Sequence, residues 1–282
     1  MTEAPTIAIR DIDSVSEMRE VETLQKEVWG IDDLDVVPLT MLVASRAVGA
    51  VLLGAYDGST FVGFVYGFPG YEDGHLVHHS HMLAVKPEYR SFNLGYKLKL
   101  AQRERVLAQG IKQITWTFDP LQSLNAYFNF AKLGVVSDSY RTNFYGEATS
   151  SFLHQIGTDR LWVTWLLDSQ RVRERLDRKK EPLPELENIP ALMQVDPNNS
   201  PQKNDSSIVG ENHLLIEIPA DIGALQHDSP QLAMNWREAT RWAFSKAMTS
   251  GYMVENFLRS SRVTQSLGVY LLSHRKTMGD FS

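Results

Sequence analysis

The stretch from His78 to Gly110 reads HHSHMLAVKPEYRSFNLGYKLKLAQRERVLAQG and predicts a strand, a turn and a long helix. Residues 80–85 are mostly apolar and flanked by polar residues, as expected of a short buried strand. Pro87 ends the strand because it moves the preceding residue away from helical angles. From Leu94 onward, apolar side chains recur at helical spacing as far as Gly110, a residue suited to end a helix.

The segment between this strand and this helix, residues 90–95, reads RSFNLG and predicts an anion site. At the beginning of a helix several backbone N–H groups have no intrahelical partner, and the helix dipole adds positive potential. A phosphate is the ligand that such a loop holds most naturally. An ordinary strand–helix connection with a surface Arg90 is the alternative interpretation of the loop alone.

The composition indicates a folded protein with one large or two smaller domains. The chain has 282 residues, of which 43% are apolar. It has no apolar run long enough to cross a bilayer and no secretory signal pattern, so we expect a cytoplasmic protein without a membrane partner. The lack of Cys excludes a disulfide framework, a thiolate metal site and a Cys nucleophile. A formal charge of −6 argues against general nucleic-acid binding.

The first 168 residues predict the element order β-α-α-β-β-β-α-β-α-β-β. Ser14 and Glu17 carry a capping box for the first helix. Gly63 and Gly67, inside the third strand, indicate a close backbone approach or a bulge. Residues 57–60 predict a hairpin loop longer than two residues, and residues 68–74 predict a second loop. We predict strands at 6–10, 51–56, 61–68, 80–85, 114–118, 135–145 and 161–167, and helices at 15–28, 38–48, 94–109 and 124–133.

The remaining sequence predicts two further regions. Residues 169–212 are typical of a charged helix followed by a Pro- and Asn-rich linker. Residues 213–282 predict a β-α-β-β subdomain, which is too small to be stable alone and should pack on the first domain, residues 1–168, or across a homodimer. In its helix Arg237 and Arg241 lie one turn apart. They either bind a carboxylate as a pair or extend separately into solvent.

The loop and the element order resemble those of the GNAT acyltransferases. In that family the signature Arg/Gln-x-x-Gly-x-Gly/Ala follows a strand, opens a helix and binds the pyrophosphate of acetyl-CoA. Arg90 fills the first position and Gly95 the last, while Asn93 replaces the middle glycine. Asn is the non-glycine residue that best tolerates left-handed backbone angles, so the loop can survive the change. Over residues 6–168 the resemblance implies an α/β (α+β) fold with a mixed, mostly antiparallel central sheet flanked by helices, followed by the β-α-β-β extension.

The resemblance also implies a co-substrate, namely acetyl-CoA or another acyl-CoA such as succinyl-CoA, and no metal. In the family the central strand splays from its neighbour, and its free backbone groups hold the pantetheine arm and supply an oxyanion donor. Asn125 resembles the residue that contacts pantetheine, although Ser123 occupies that residue's usual position. The residues expected to bind the cofactor are Leu83, Ala84, Val85, Arg90, Ser91, Phe92, Asn93, Leu94, Gly95, Tyr96 and Asn125.

His79 and His81 are the candidates for the catalytic base. Residues two apart on a strand project from one face, and an imidazole titrates near neutral pH. The pattern resembles that of the aralkylamine N-acetyltransferases, in which a His-x-His precedes Leu-Ala-Val and is assigned to deprotonating the amine. The alternatives are a core histidine, or a metal site that adds His75 and His78.

The leaving-group acid departs from the family pattern. Phe130 stands where the family usually has a Tyr, so Tyr127 and Tyr140 are the candidates. The resemblance implies N-acyl transfer by direct attack of an amine on the thioester, with acetyl as the first choice of acyl group. We expect the amine of a small molecule as the acceptor, because no basic or acidic groove for a protein tail is evident in the sequence. A catalytically silent acyl-CoA-binding or regulatory module is the alternative, favoured by Asn93 and Phe130.

Overall fold

The computed structural model describes residues 6–146, 155–179, 184–208, 210–262 and 265–281. The chain separates into two compact units, the first formed mainly by residues up to Trp116 and the second mainly by residues from Thr117 onward. This division differs from the predicted domain boundaries, because the elements between Thr117 and residue 168 group with the C-terminal elements. Within the described residues, no helix is both long and apolar enough to cross a membrane.

The first unit has a sheet in the order β1-β2-β3-β4-β5. Neighbouring strands from β1 to β4 are antiparallel, and β5 runs parallel to β4. The strands are β1 (Ile7–Asp11), β2 (Val51–Asp57), β3 (Thr60–Glu72), β4 (His75–Val85) and β5 (Gln113–Phe118), and the helices are α1 (Val15–Trp29), α2 (Leu39–Ala47) and α3 (Leu94–Ala108).

Helix α1 begins and ends where the sequence predicts. Ser14 and Glu17 form the capping box, in which each side chain accepts a hydrogen bond from the backbone of the other residue. Gly30 adopts left-handed angles, with φ at 60°, and ends the helix. The buried face of α1 joins the core of this unit, together with α2 and the side chains of β2 to β4.

The hairpin formed by β3 and β4 is longer than predicted. The loop expected at residues 68–74 is strand as far as Glu72 and again from His75. Pro69 has no N–H to donate to a neighbouring strand. It is tolerated because β2 pairs with β3 only as far as Gly67, so that β2 has no residue opposite Pro69. The turn between β2 and β3 has two residues, 58 and 59, rather than the longer loop predicted, since the strands pair through to Asp57 and Thr60.

Two glycines allow β3 and β4 to approach closely, as the sequence predicts. A Cβ atom at Gly63 would lie 2.8 Å from the carbonyl oxygen of Ala84. At Gly67 it would lie 2.4 Å from Nε2 of His78 and 2.6 Å from the carbonyl oxygen of His79. Neither site has room for a side chain, so glycine is required by packing.

The second unit contains a sheet in the order β7-β6-β11-β12-β10-β8-β9. Most neighbours are antiparallel, and β8 is parallel to β10. The strands are β6 (Val136–Arg141), β7 (Arg160–Leu166), β8 (Ala191–Val195), β9 (Pro201–Lys203), β10 (His213–Pro219), β11 (Tyr252–Arg262) and β12 (Gln265–His274). The helices are α4 (Ser123–Ala126), which continues as a π-helical segment (Tyr127–Leu133), α5 (Gln170–Leu176), α6 (Ile222–Asp228) and α7 (Pro230–Thr249).

Residues 169–212 differ from the predicted linker. Strands β8 and β9 lie within this region, and β8 pairs with β10. Its side chains Leu192 and Met193 are completely buried. Pro197, Asn198 and Asn199 lie between these two strands, Pro201 is the first residue of β9, and Pro182 lies outside the described residues. The predicted β-α-β-β order of residues 213–282 is present with α6 added, and β11 continues the sheet beyond β6.

The arginine pair of α7 binds carboxylates of the protein, so the solvent-exposed interpretation is wrong. Arg237 is 1% exposed and holds Asp119 through two hydrogen bonds of 2.9 and 2.6 Å. Arg241 donates from Nε and Nη2 to the two oxygens of Asp159, each at 2.9 Å. These ion pairs connect α7 to segments more than 80 residues earlier in the chain.

The close approach at Gly67 gives a first prediction. Gly67→Ala should lower the free energy of unfolding by about 1–3 kcal/mol, because the added methyl group forces β3 away from β4. Gly70→Ala is the matched control, since a Cβ atom at Gly70 on the same strand meets no atom within 4 Å. Urea denaturation of the full chain measures both changes. Equal stability of the two variants would contradict the packing argument.

The buried ion pair gives a second prediction. Arg237→Met should lower the free energy of unfolding by about 3–5 kcal/mol, because it leaves the carboxylate of Asp119 buried without its guanidinium. Lys26→Met is the control, since Lys26 pairs with Asp33 at the surface and should contribute little. Chemical denaturation followed by circular dichroism compares them. A loss no larger in Arg237→Met than in the control would show that the pair does not stabilise the fold.

Candidate active site

A bulge in β4 sets the direction of the side chains at the candidate site. Tyr66 of β3 pairs with Met82 of β4, but the next residue, Gly67, pairs with Ser80. His81 is therefore an extra residue on β4 without a direct partner in β3. Bulges of this kind bend a strand and change the direction of a side chain.

His79 and His81 lie side by side, on one face of β4 as predicted. Their ring centroids are 6.4 Å apart, and the ring of Phe68 contacts both at about 6 Å. His78 belongs to the opposite face and is completely buried. The three histidines therefore do not converge on one point, and the described His, Asp and Glu side chains form no group of three or more that could hold a metal ion.

The two imidazoles on this face are neutral at neutral pH. Burial lowers the pKa of His79 to about 4, and the nearby charges of His81 and Lys99 add to the effect. His81 is open to solvent, but the protein atoms crowded around it also lower its pKa. A neutral imidazole can accept a proton, so this face of β4 can deprotonate a bound molecule.

A buried polar network lies behind β4, on the side of α3. Nζ of Lys99 donates to Oγ of Ser80 at 2.9 Å and to Oε1 of Gln102 at 3.1 Å. The amide nitrogen of Gln102 then donates to Nε2 of His78 at 3.2 Å. Lys99 also lies 3.7 Å from the centroid of the Trp116 ring, and its burial lowers the pKa of its amine. The network ties β4 to α3 and holds the strand in place.

Sequence reasoning missed this network. The helical pattern was judged from its apolar residues alone and gave no role to Lys99 or Gln102, both of which are buried. A usable signal exists, since Lys99 follows the core residue Leu98 directly and Gln102 lies four residues after it, on the same face of the helix.

The end of β4 has an open backbone edge. Strand β5 pairs with β4 only at His78 and His79, so the parallel pairing stops before Leu83. Leu83, Ala84 and Val85 pair with β3 on their other side. Within the described residues, the backbone N–H and C=O groups of these three residues that point towards β5 have no partner strand. One of them is occupied, since the Val85 carbonyl accepts a hydrogen bond from Nε of Arg90 at 3.2 Å.

The loop after β4 leads directly into α3. Residues 87–92 form a 3₁₀ turn, and Arg90 lies in it with an exposed side chain, as do Ser91 and Phe92. Asn93 has φ 57° and ψ 27°, which confirms that it takes the left-handed angles predicted for it. The helix begins at Leu94, followed by Tyr96 in its first turn, and Gly95 lies against β4, where a Cβ atom would be 3.4 Å from Leu83. The beginning of α3 therefore lies next to the open edge of β4.

The remaining candidates belong to the second unit. Tyr140 donates its hydroxyl to Asp159 at 2.7 Å and stacks on Phe244. Burial raises the pKa of this hydroxyl, and the charge of Asp159 raises it further, so Tyr140 is a poor proton donor. Its contacts give it a structural role rather than the catalytic one considered from the sequence.

Tyr127, Phe130 and Asn125 lie on the helix that follows β5. Tyr127 is half-buried at the beginning of the π-helical segment. Phe130 is completely buried and packs against Tyr270. Its phenyl ring has no proton to donate, so this position cannot supply the leaving-group acid. Asn125 is exposed and remains available to a ligand.

Residues 15–134 match the model of the family described as Acetyltransferase (GNAT) family. No curated protein sequence matches this chain. Similar solved structures include a GNAT-family acetyltransferase from Streptococcus pneumoniae. It is 14% identical to this chain, the match covers 56% of this chain and 98% of that chain, and the TM-score is 0.45.

Two further similar structures have named acceptors. The aminoglycoside 6'-N-acetyltransferase from Enterococcus faecium shows 17% identity, covers 63% of this chain and 99% of its own, and has a TM-score of 0.43. The ribosomal-protein-S18-alanine N-acetyltransferase from Escherichia coli shows 12% identity, covers 57% of this chain and 94% of its own, and has a TM-score of 0.45.

Proposed function

We propose that this protein transfers an acyl group from an acyl-CoA, acetyl-CoA in the first instance, to the amine of a small molecule. The proposal starts from the match of residues 15–134 to the model of the GNAT acetyltransferase family. One observation carries the proposal. Strand β4 bears two neutral imidazoles on one face and, a few residues later, an open backbone edge that leads into the beginning of α3. These parts supply a base, a thioester site and a phosphate site along one segment of chain.

The cofactor residues have distinct tasks in this proposal. The first-turn N–H groups of α3, around Leu94 and Gly95, bind the pyrophosphate with the help of the helix dipole. The open edge from Leu83 to Val85 holds the pantetheine arm, and a backbone N–H there stabilises the developing oxyanion. Arg90 closes the end of this edge through its hydrogen bond to Val85 and brings a cation close to the phosphates.

The reaction needs no covalent enzyme intermediate. The ammonium group of the acceptor loses a proton to the imidazole face of β4, and the neutral amine attacks the thioester carbon. A C–N bond forms and the C–S bond breaks. The nitrogen, which carries one proton too many after the attack, releases that proton to solvent, and the coenzyme leaves as a thiolate that takes up a proton. Tyr127 stays the sequence-based prediction for the donor of that proton, since Tyr140 is bound to Asp159. The chain has no Cys that could compete as a nucleophile.

The net charge of the protein supports a small cationic acceptor. The chain carries a formal charge of −6, which attracts a protonated amine and repels an acidic molecule at long range. A panel of amines, assayed by release of free thiol from acetyl-CoA and from succinyl-CoA, tests both the acceptor and the acyl group.

The phosphate loop gives a third prediction. Arg90→Ala and Gly95→Val should each weaken CoA binding by about tenfold, the first by removing a charge-assisted contact and the second by blocking the approach of phosphate to the backbone. Asn93→Gly is the control and should bind CoA as well as the natural chain, because glycine adopts the same left-handed angles. Isothermal titration calorimetry measures all three. Unchanged affinity in the first two variants would exclude the phosphate-loop assignment.

The imidazole face gives a fourth prediction. The double change His79→Gln and His81→Gln should lower kcat by about two to four orders of magnitude, the usual contribution of general base catalysis. CoA affinity should stay constant, because the cofactor is held by backbone and loop. Turnover should recover in part at high pH, where solvent supplies neutral amine. A double variant with full turnover at neutral pH would place the base elsewhere.

A further inference from the structure

Thr115 contacts one of the two site histidines and not the other. It stands opposite His79 in the short parallel pairing of β4 with β5. Its Oγ1 lies 3.2 Å from Nδ1 of His79, and its side chain is completely buried. The ring of His81 makes no hydrogen bond to any residue in the described ranges and is open to solvent.

The surroundings of the Thr115 hydroxyl decide the direction of this hydrogen bond. A hydroxyl has one hydrogen to donate, and a buried donor without an acceptor costs about 1–3 kcal/mol. Among the residues that the structure describes, Nδ1 of His79 is the only acceptor within reach of Oγ1. Thr115 therefore donates to Nδ1, and the neutral ring of His79 carries its own hydrogen on Nε2.

We propose that Thr115 is a positioning residue that divides the work of the two histidines, making His79 a hydrogen-bond donor and leaving His81 as the base. The proposal rests on the proposed acyl transfer. With Nδ1 occupied and Nε2 protonated, the His79 ring has no lone pair left for a substrate proton. His81 lies beside it on the same face, and its ring keeps one nitrogen able to accept a proton.

The neighbouring groups are consistent with this division. His79 faces His81 on its own strand, and Lys99 of α3 acts on it from behind the sheet. His81 has the edge of the Tyr66 ring and the ring of Phe68 beside it, both from β3. A donor aimed at a lone pair stabilises the neutral ring, so Thr115 acts on His79 in the same direction as burial does. The Nε2–H group of His79 is then a hydrogen-bond donor and not an acceptor.

The tautomer of His79 is the direct test. Nitrogen-15 chemical shifts of the imidazoles at neutral pH should show Nε2–H alone in the natural chain and in Thr115→Ser, which keeps the hydroxyl. Thr115→Val has the same shape without the hydroxyl, and it should show a mixture of the two tautomers. A natural chain with His79 protonated on Nδ1 would overturn the proposal. Unaltered backbone amide shifts away from β4 and β5 show that the variants are folded.

Single substitutions test the division of roles by kinetics. His81→Gln should lower kcat by about two to four orders of magnitude and remove the acidic limb of the pH profile. His79→Gln keeps an N–H donor, so it should lose tenfold or less and retain that limb. The reverse order of losses would overturn the proposal. The chemical shifts report the tautomer of His79 without any turnover. A protein that transfers no acyl group would contradict the proposed function, and the chemical shifts would still test the role of Thr115.

Discussion

The contact of Gly67 with β4 is the constraint on which the candidate site depends. Since Gly67 has no side chain, β3 approaches His78 so closely that a single methyl group would not fit. The register shift next to Gly67 makes His81 the extra residue of β4. Beyond the bulge the strand continues to Val85 and loses its pairing with β5. The direction of the His81 side chain thus follows from one close contact, and the open backbone edge begins just beyond it.

The two faces of β4 provide different environments for the same kind of residue. His78 and Ser80 face inward and join Lys99 and Gln102 in a buried network in which each hydrogen bond holds the next. His79 is on the outer face. Because the inner network is far from solvent, its hydrogen bonds fix the strand firmly to α3. A catalytic site must hold its reacting groups at defined distances, and a rigid support behind the strand helps it to do so.

Local rules predicted the features whose partners are near in sequence, and failed where the partners are distant. The capping box of α1, the left-handed Asn93 and the two packing glycines of β3 follow from short-range chemistry, and all are present. Strand β8 was missed because its pairing partner lies beyond a long run of Pro and Asn. The burial of Arg237 was missed because its partner Asp119 lies 118 residues away. The direction of the Thr115 hydrogen bond likewise depends on the pairing of two strands separated by a whole helix.

The neutral histidines of β4 link folding to the release of protons. In the unfolded chain a histidine binds a proton near pH 6.5, whereas burial lowers the pKa of His78 to about 3 and that of His79 to about 4. Below pH 6.5 the unfolded chain therefore holds more protons than the folded one, and stability decreases as the pH falls towards these lower values. The contribution is fully present above pH 6.5. The strand that carries the candidate site is thus also the part of the fold on which mild acid acts first.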